Sequence, residues 1–155
     1  MKHGRNPYTS TFYIWNGVAA VFYSSYLTPF HSHNTMQLVL DTQTNFRFRV
    51  KNSPWSTYKS LIIKEDVIHQ LDTNDSVQLI IYLDPESRIA RTIKAGYLAE
   101  KEIYAPAFNI FHFVNSNELQ QALLKTDPSL LENLVHRILG CLSRGMEIKP
   151  ADKRI

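Results

Sequence analysis

The feature that most constrains the fold is a succession of short apolar segments, each bounded by turn-forming residues, between residues 12 and 83. The stretch Phe46-Arg47-Phe48-Arg49-Val50 alternates apolar and basic side chains, as a strand with one buried face does. Asn16-Gly17 favours a hairpin between the first two segments, because both residues tolerate positive φ. The predicted strands are 12–15, 18–26, 36–41, 45–50, 58–63, 67–72 and 77–83. Short strands at this spacing predict a sandwich or a β-barrel that closes its own edges.

The pattern changes after residue 83. Asp84-Pro85-Glu86-Ser87 marks a boundary, because proline and acidic residues favour the first turn of a helix, and residues 87–99 are predicted to be helical. Residues 102–114 are rich in aromatic side chains and are interrupted by Pro106. This segment is predicted to form either a returning strand or an apolar connector.

Two further helices are predicted near the C-terminal end. Asn115-Ser116-Asn117 supplies N-cap residues for a helix over 118–125, and Asp127-Pro128 caps a longer helix that Gly145 is predicted to terminate. The expected fold is therefore mainly β with C-terminal α-helices: a β-barrel over 12–83 followed by a helical hairpin within 84–148. At 155 residues, the chain is expected to form a single domain over 1–155.

The longest predicted helix carries an apolar stripe. Apolar residues recur at helical spacing from Leu131 to Leu142, and such a stripe must be buried against another surface. The barrel, a second copy of the chain, or both are candidates for that surface. For a homodimer, the predicted interface consists of Leu131, Leu134, Val135, Ile138 and Leu142.

Composition excludes several classes of protein. A single cysteine, Cys141, rules out an intrachain disulfide and a cysteine-based zinc or thiol-redox motif. The net charge of +3 is small and its lysines and arginines are scattered, which argues against direct binding of nucleic acid by this chain. Because no apolar run approaches the roughly 20 residues of a membrane span and the N-terminus lacks a secretory signal, a cytoplasmic protein without a membrane partner is expected.

A group of histidines suggests a metal site. His31 and His33 are two residues apart and therefore point to the same side of a strand. Gln37 can return to that side after a bend at Asn34-Thr35, and His69 lies in a later predicted strand. Imidazoles from adjoining strands with an oxygen ligand suit a divalent transition metal such as zinc, iron, manganese or nickel. The candidate ligands are His31, His33, Gln37 and His69.

The stretch His31-Ser32-His33-Asn34-Thr35-Met36-Gln37 resembles the first cupin motif, in which His-X-His is followed after three or four residues by glutamate. His69 would be the histidine of the second motif. The resemblance implies a cupin-like, jelly-roll or RmlC-like barrel. Gln37 replaces the usual glutamate, Thr44 stands where a glycine is expected, and Lys64 and Asp66 occupy the proline and glycine places before His69. Because a neutral amide is a poorer ligand than a carboxylate, lower metal affinity is expected.

The segment Tyr82-Leu83-Asp84-Pro85-Glu86-Ser87 resembles the end of the sensory barrel in AraC-type bacterial transcription regulators. Leucine-rich helices follow, and then Asp152-Lys153-Arg154-Ile155, which is similar to the Asp-X-Arg-Ile stretch that commonly opens the DNA-binding domain of that family. The resemblance implies an effector-binding and dimerisation domain that contacts DNA only through a C-terminal helix-turn-helix domain, expected after residue 155 and absent from this chain.

The main hypothesis is therefore a sensory domain without enzymatic activity and without a required cofactor. Its candidate effector-binding residues are Tyr13, Trp15, Tyr23, His31, His33, Gln37, His69 and Tyr82. A small cupin metalloenzyme of the dioxygenase or isomerase type, using His31, His33 and His69 with Gln37 as a weak fourth ligand, is the alternative. A stand-alone binding or storage module is a third possibility.

Overall fold

The computed structural model describes residues 12–24, 27–125 and 128–148. Three α-helices follow most of the strands: α1 (Arg88–Ile93), α2 (Ser116–Lys125) and α3 (Pro128–Ile148). The strands are β1 (Phe12–Trp15), β2 (Val18–Tyr23), β3 (Met36–Asp41), β4 (Phe46–Val50), β5 (Ser56–Tyr58), β6 (Ser60–Ile63), β7 (His69–Asp72), β8 (Gln78–Leu83) and β9 (Ile103–Tyr104). The prediction of a mainly β fold with C-terminal helices is confirmed.

The strands form two antiparallel sheets. The larger sheet has the order β1-β2-β8-β3-β6-β9, and the smaller has the order β5-β4-β7. Two isolated bridges, Leu27 with Asp72 and His31 with His69, attach the segment before β3 to β7. In the ranges given above, no continuous ladder of strand pairs joins the two sheets into the closed barrel that the sequence predicted.

The central strands of the larger sheet, β3, β6 and β8, are buried on both faces. All six residues of β3 are buried, and its side chains alternate between two apolar clusters. Leu38 and Leu40 belong to the cluster shared with the helices, whereas Val39 belongs to the cluster shared with the smaller sheet. This burial on two sides explains why the strand is a nearly continuous apolar run and does not alternate with polar residues.

The smaller sheet is buried on one face only. In β4, Phe46 and Phe48 are buried, while Arg47 and Arg49 are partly exposed, as their alternation predicted. Both guanidinium groups lie 4.8 Å from the centroid of the Trp55 ring. The outer face of this sheet is therefore basic and aromatic, and its inner face is apolar.

The apolar stripe of α3 lies in the chain's own core. Its predicted interface residues are no more than 2% exposed and cluster with apolar residues of the larger sheet: Leu131, Leu134, Val135, Ile138 and Leu142. Intramolecular packing therefore removes these residues from solvent in the single chain. The homodimer and the interface predicted for it stay predictions.

The two long helices both contribute to that core. Leu119 and Leu123 of α2 join the same cluster as the stripe of α3. Residues 126–127, which connect the helices, lie outside the described ranges, as does Asp127 with its predicted capping role. The helical hairpin is therefore not established, and we describe α2 and α3 as two helices that pack on the same side of the sheet.

Several predicted boundaries differ from the structure. The strand predicted over 58–63 is interrupted at Lys59, which separates β5 and β6 into different sheets. Strand β2 ends at Tyr23 instead of residue 26, and residues 25–26 are not described. Helix α3 continues through Gly145 to Ile148, because the packing of the stripe outweighs the weak helix propensity of one glycine.

The connecting segments combine several short elements. The helix predicted over 87–99 is divided into α1, capped by the Ser87 side chain, and a π-helical turn over Lys94–Leu98. The segment 102–114 contains both predicted forms, since β9 pairs with β6 and the remainder connects β9 to α2. Helix α2 is capped by Asn115, whose side chain accepts a 2.8 Å hydrogen bond from the Glu118 backbone N–H.

None of the described helices is long and apolar enough to cross a membrane. The C-terminal stretch Asp152-Lys153-Arg154-Ile155 lies outside the described residues.

Candidate metal and small-molecule site

Backbone pairing brings the three histidines together. His31 and His69 are directly opposite each other and exchange two backbone hydrogen bonds of 3.0 and 2.9 Å, so their side chains share one face. His33 follows on the same side, with its ring centroid 4.8 Å from that of His31 and 5.8 Å from that of His69. One ligand nitrogen from each ring lies within 4.8 Å of the other two.

A tight turn at residues 65–66 fixes the position of His33. The Asp66 backbone N–H donates a 2.7 Å hydrogen bond to the His33 carbonyl oxygen, and Asp66 adopts φ of 64°. Asp66 occupies the place of the glycine expected from the cupin motif. Because aspartate tolerates the left-handed region better than most residues, this departure from the motif preserves the turn.

Hydrogen bonds set the tautomer of two of the imidazoles. Nδ1 of His31 lies 2.8 Å from the Pro29 carbonyl oxygen, and Nδ1 of His69 lies 2.8 Å from that of Val67. A carbonyl oxygen only accepts, so each Nδ1 carries a proton, and in the neutral form of the ring Nε2 is the nitrogen with a lone pair for a metal. Metal-binding histidines are oriented in this way, and the donor set therefore fits a divalent transition metal.

Burial keeps His69 and His33 neutral. His69 is 3% exposed, and burial is the main reason why its pKa falls to about 4. Its hydrogen bond to Val67 acts in the opposite direction, and the neighbouring His31 and His33 lower its pKa further. Burial and then His31 lower the pKa of His33. Both rings are therefore in the neutral form that binds metal at neutral pH.

The histidines form one wall of a cavity of about 100 Å³ between the two sheets. The opposite wall comes from the larger sheet and consists of Tyr23, Gln37 and Tyr82, with Ile80 beside them. Gln37 and Tyr82 are cross-strand partners, and their side chains are hydrogen bonded to each other. Among the described residues that line this cavity, none is an aspartate or glutamate.

The pKa of Tyr82 lies above its ordinary value. Burial is the largest cause, the neighbouring Tyr23 adds to it, and the hydrogen bond with Gln37 opposes it. Tyr82 is therefore a neutral hydroxyl at physiological pH, able to donate a hydrogen bond but unsuited to act as a base.

The structure brings most of the predicted binding residues together around this cavity: Tyr23, His31, His33, Gln37, His69 and Tyr82. Trp15 is elsewhere, because it packs against the core on the helical side, with its ring 6.4 Å from that of His136. Tyr13 pairs with Ala20 in the sheet, and its side chain lies outside the described part. That these residues bind a ligand stays a prediction.

Four neighbours of the site were not predicted. Leu71 and Ile80 line the cavity, and period-2 spacing from His69 and Tyr82 could have identified them. Phe48 stacks on His69 with a centroid distance of 5.0 Å. Thr28 also lines the cavity, but its position depends on hydrogen bonds to Leu71 in a distant strand, for which the sequence carries no local signal.

No protein-family model matches the sequence, and no curated protein matches it. Among solved structures, a protein from Neisseria meningitidis is 9% identical over 52% of this chain and 89% of its own, with a TM-score of 0.45. A cupin-like protein from Thermotoga maritima is 22% identical over 43% of this chain and 56% of its own, with a TM-score of 0.37.

An RmlC-like cupin family protein with a double-stranded β-helix fold, from Methanocaldococcus jannaschii, is 10% identical over 53% of this chain and 86% of its own, with a TM-score of 0.40. Two of these three proteins are described as cupins or cupin-like. This chain spans just over half of the Thermotoga protein, and no activity follows from these partial likenesses.

Proposed function

We propose that this chain is a cupin-like small-molecule-binding domain whose cavity holds a divalent transition metal through His31, His33 and His69. The observation that carries the proposal is the convergence of three imidazoles, two of which have Nδ1 tied to a backbone carbonyl. That arrangement leaves Nε2 of both rings as an electron-pair donor. A histidine that only filled the core would need no such common orientation.

The spacing of the nitrogens agrees with a site that closes on its metal. Zinc–nitrogen bonds of about 2.0–2.1 Å in a tetrahedral site separate the nitrogens by about 3.4 Å. In this structure the three ligand nitrogens lie within 4.8 Å of one another, and modest side-chain rotations would shorten these distances. Gln37 lines the same cavity and offers an amide oxygen. A bound metal would supply Lewis acidity to an oxygen ligand.

Binding is favoured over catalysis. The described lining contains no carboxylate for general acid-base work, and Tyr82 is held neutral by burial. The metalloenzyme alternative uses the same three histidines and is supported by their clustering alone. Turnover of a small organic substrate that required the metal would favour it over the binding role.

We further propose that the bound small molecule is an effector and that this domain is part of an AraC-type regulator. Such a regulator would dimerise and would bind DNA through a further domain. The resemblance of residues 82–87 and of the C-terminal helices supports this proposal. The reading frame beyond residue 155 tests it. Two helix-turn-helix patterns there would support the regulator, and an unrelated continuation would contradict it.

Elemental analysis tests the metal site. We expect close to one equivalent of a divalent transition metal in untagged protein dialysed against zinc, iron, manganese or nickel. The double variant His31→Ala/His33→Ala should lose this metal. His136→Ala removes an exposed histidine on α3 and serves as the matched control. Equal metal content in the double variant and the control would contradict the proposal.

A further inference from the structure

We infer that the small molecule taken by this cavity is a carboxylate, which binds the metal as an anion and is also held by Gln37 and Tyr82. This inference rests on the proposed metal site. It follows from the charge of the cavity, the placement of its hydrogen-bonding groups and its size, which are independent observations.

The first observation is the charge of the cavity. Its described lining contains no aspartate, glutamate, lysine or arginine and consists of three imidazoles, two phenols, an amide, a threonine and two aliphatic side chains. The one position at which the cupin motif carries an acidic ligand is Gln37, which is 4% exposed and has no charge. A divalent ion would therefore keep both of its positive charges in a partly buried site. Because an uncompensated charge in such a site is unfavourable, an anion from solution is the preferred additional ligand.

The second observation is the hydrogen-bonding wall opposite the histidines. Gln37 and Tyr82 face each other across β3 and β8 and are already hydrogen bonded. The Tyr82 ring lies 5.6 Å from the His33 ring, which places the phenol beside a proposed metal ligand. A carboxylate has two oxygens, so one can bind the metal while the other accepts from the Tyr82 hydroxyl or the Gln37 amide. Hydrogen bonds to an ionised acceptor are stronger than neutral ones.

The third observation is size. A cavity of about 150 Å³ is known to hold benzene, and this one is about 100 Å³. Acetate, with four non-hydrogen atoms, is therefore a suitable probe. Leu71 and Ile80 supply the apolar surface that its methyl group would contact.

Cobalt(II) provides the readout, because its visible absorption changes when an anion joins its coordination. Protein loaded with one equivalent of cobalt is titrated with acetate and, separately, with acetamide, which has nearly the same shape but no charge. We expect saturable 1:1 binding of acetate and at least tenfold weaker binding of acetamide. Equal responses to the two probes would overturn the inference.

Gln37→Glu is the decisive variant, because it restores an acidic side chain at the same position with almost unchanged volume. We expect its cobalt affinity to rise and its acetate affinity to fall at least tenfold, since the built-in carboxylate replaces the one from solution. Tyr82→Phe should weaken acetate binding about fivefold to tenfold. Tyr97→Phe, a tyrosine outside the cavity lining, should match the unmodified protein. Unchanged acetate affinity in Gln37→Glu would overturn the inference.

The two levels of the proposal fail differently. If folded protein, checked by circular dichroism, does not bind cobalt, the metal site is wrong and the carboxylate inference falls with it. If cobalt binds but acetate leaves its spectrum unchanged, the metal site stands and the inference alone is wrong. Acetate that binds equally well without cobalt, followed by changes in histidine NMR signals, would also overturn it.

Discussion

The two faces of the larger sheet differ in how completely they are packed. The face toward the helices is covered by the larger apolar cluster, which includes the stripe of α3. The face toward the smaller sheet has a smaller apolar cluster and, beside it, the histidine cavity, and Leu71 and Ile80 belong to both. Adjacent residues of one strand illustrate the difference, since Leu38 packs on the helical side and Gln37 lines the cavity.

This difference separates stability from binding. Buried apolar area is the main source of folding free energy, and most of it lies on the helical side. The smaller sheet can therefore hold a polar, partly solvated cavity without loss of the fold. Four predictions test this division, from the largest expected effect to the smallest.

Removing a side chain from the helical side should have the largest effect on stability. Ile138 is fully buried in the stripe, so Ile138→Ala should lower the free energy of unfolding by about 2–5 kcal/mol in urea denaturation. Leu124→Ala, at a position that is 51% exposed, is the control and should change it by less than about 0.5 kcal/mol. A cost below about 1 kcal/mol for Ile138→Ala would mean that this face is not the main source of stability.

On the cavity side, stability of the metal-free protein should depend on pH. Folded His69 takes up a proton only near pH 4, whereas its unfolded counterpart does so near 6.5. The unfolded state therefore binds more protons in this window, and stability is complete above pH 6.5 and lost as the pH falls toward 4. The shift corresponds to a loss of at most about 3 kcal/mol.

Urea denaturation between pH 4 and 7 measures this dependence. His69→Leu should reduce the slope but not abolish it, because the pKa of His33 is lowered as well. An unchanged slope in that variant would show that His69 is not the group responsible.

A metal ion should stabilise the cavity side independently of the helical side. Zinc at a hundred times its dissociation constant should raise the free energy of unfolding by about 2.7 kcal/mol. The gain should be similar in Ile138→Ala, because distant sites add independently, and absent in His31→Ala/His33→Ala. Loss of the gain in Ile138→Ala would show that the two faces are coupled.

The smallest effect is expected on the outer face of the smaller sheet. Arg47 and Asp72 form an ion pair of 2.7 Å between side chains that are 43% and 21% exposed. Because solvent screens such a pair, its coupling energy in an Arg47→Gln/Asp72→Asn double-mutant cycle should be below about 1 kcal/mol. A larger value would place a third source of stability on this face.

Local pattern was sufficient for many elements of the fold. The bounds of β1 and β3 were predicted as observed, and Pro128 begins α3 as expected. The pairing of His31 and His33 on one side also followed from their spacing, because period-2 geometry is a property of the chain itself. The six predicted residues that line the cavity all belong to strands or to segments beside them.

Other features depended on contacts between distant parts of the chain. The interruption at Lys59, the placement of Trp15 against the helical side and the burial of the α3 stripe could not be read from any one segment. His31 and His69 face each other only because an antiparallel bridge joins them, although they are 38 positions apart in the sequence. The sequence determined which side chains share a face of each element. Only the tertiary structure decided which partner covers that face, because burial depends on the surface that packs against it.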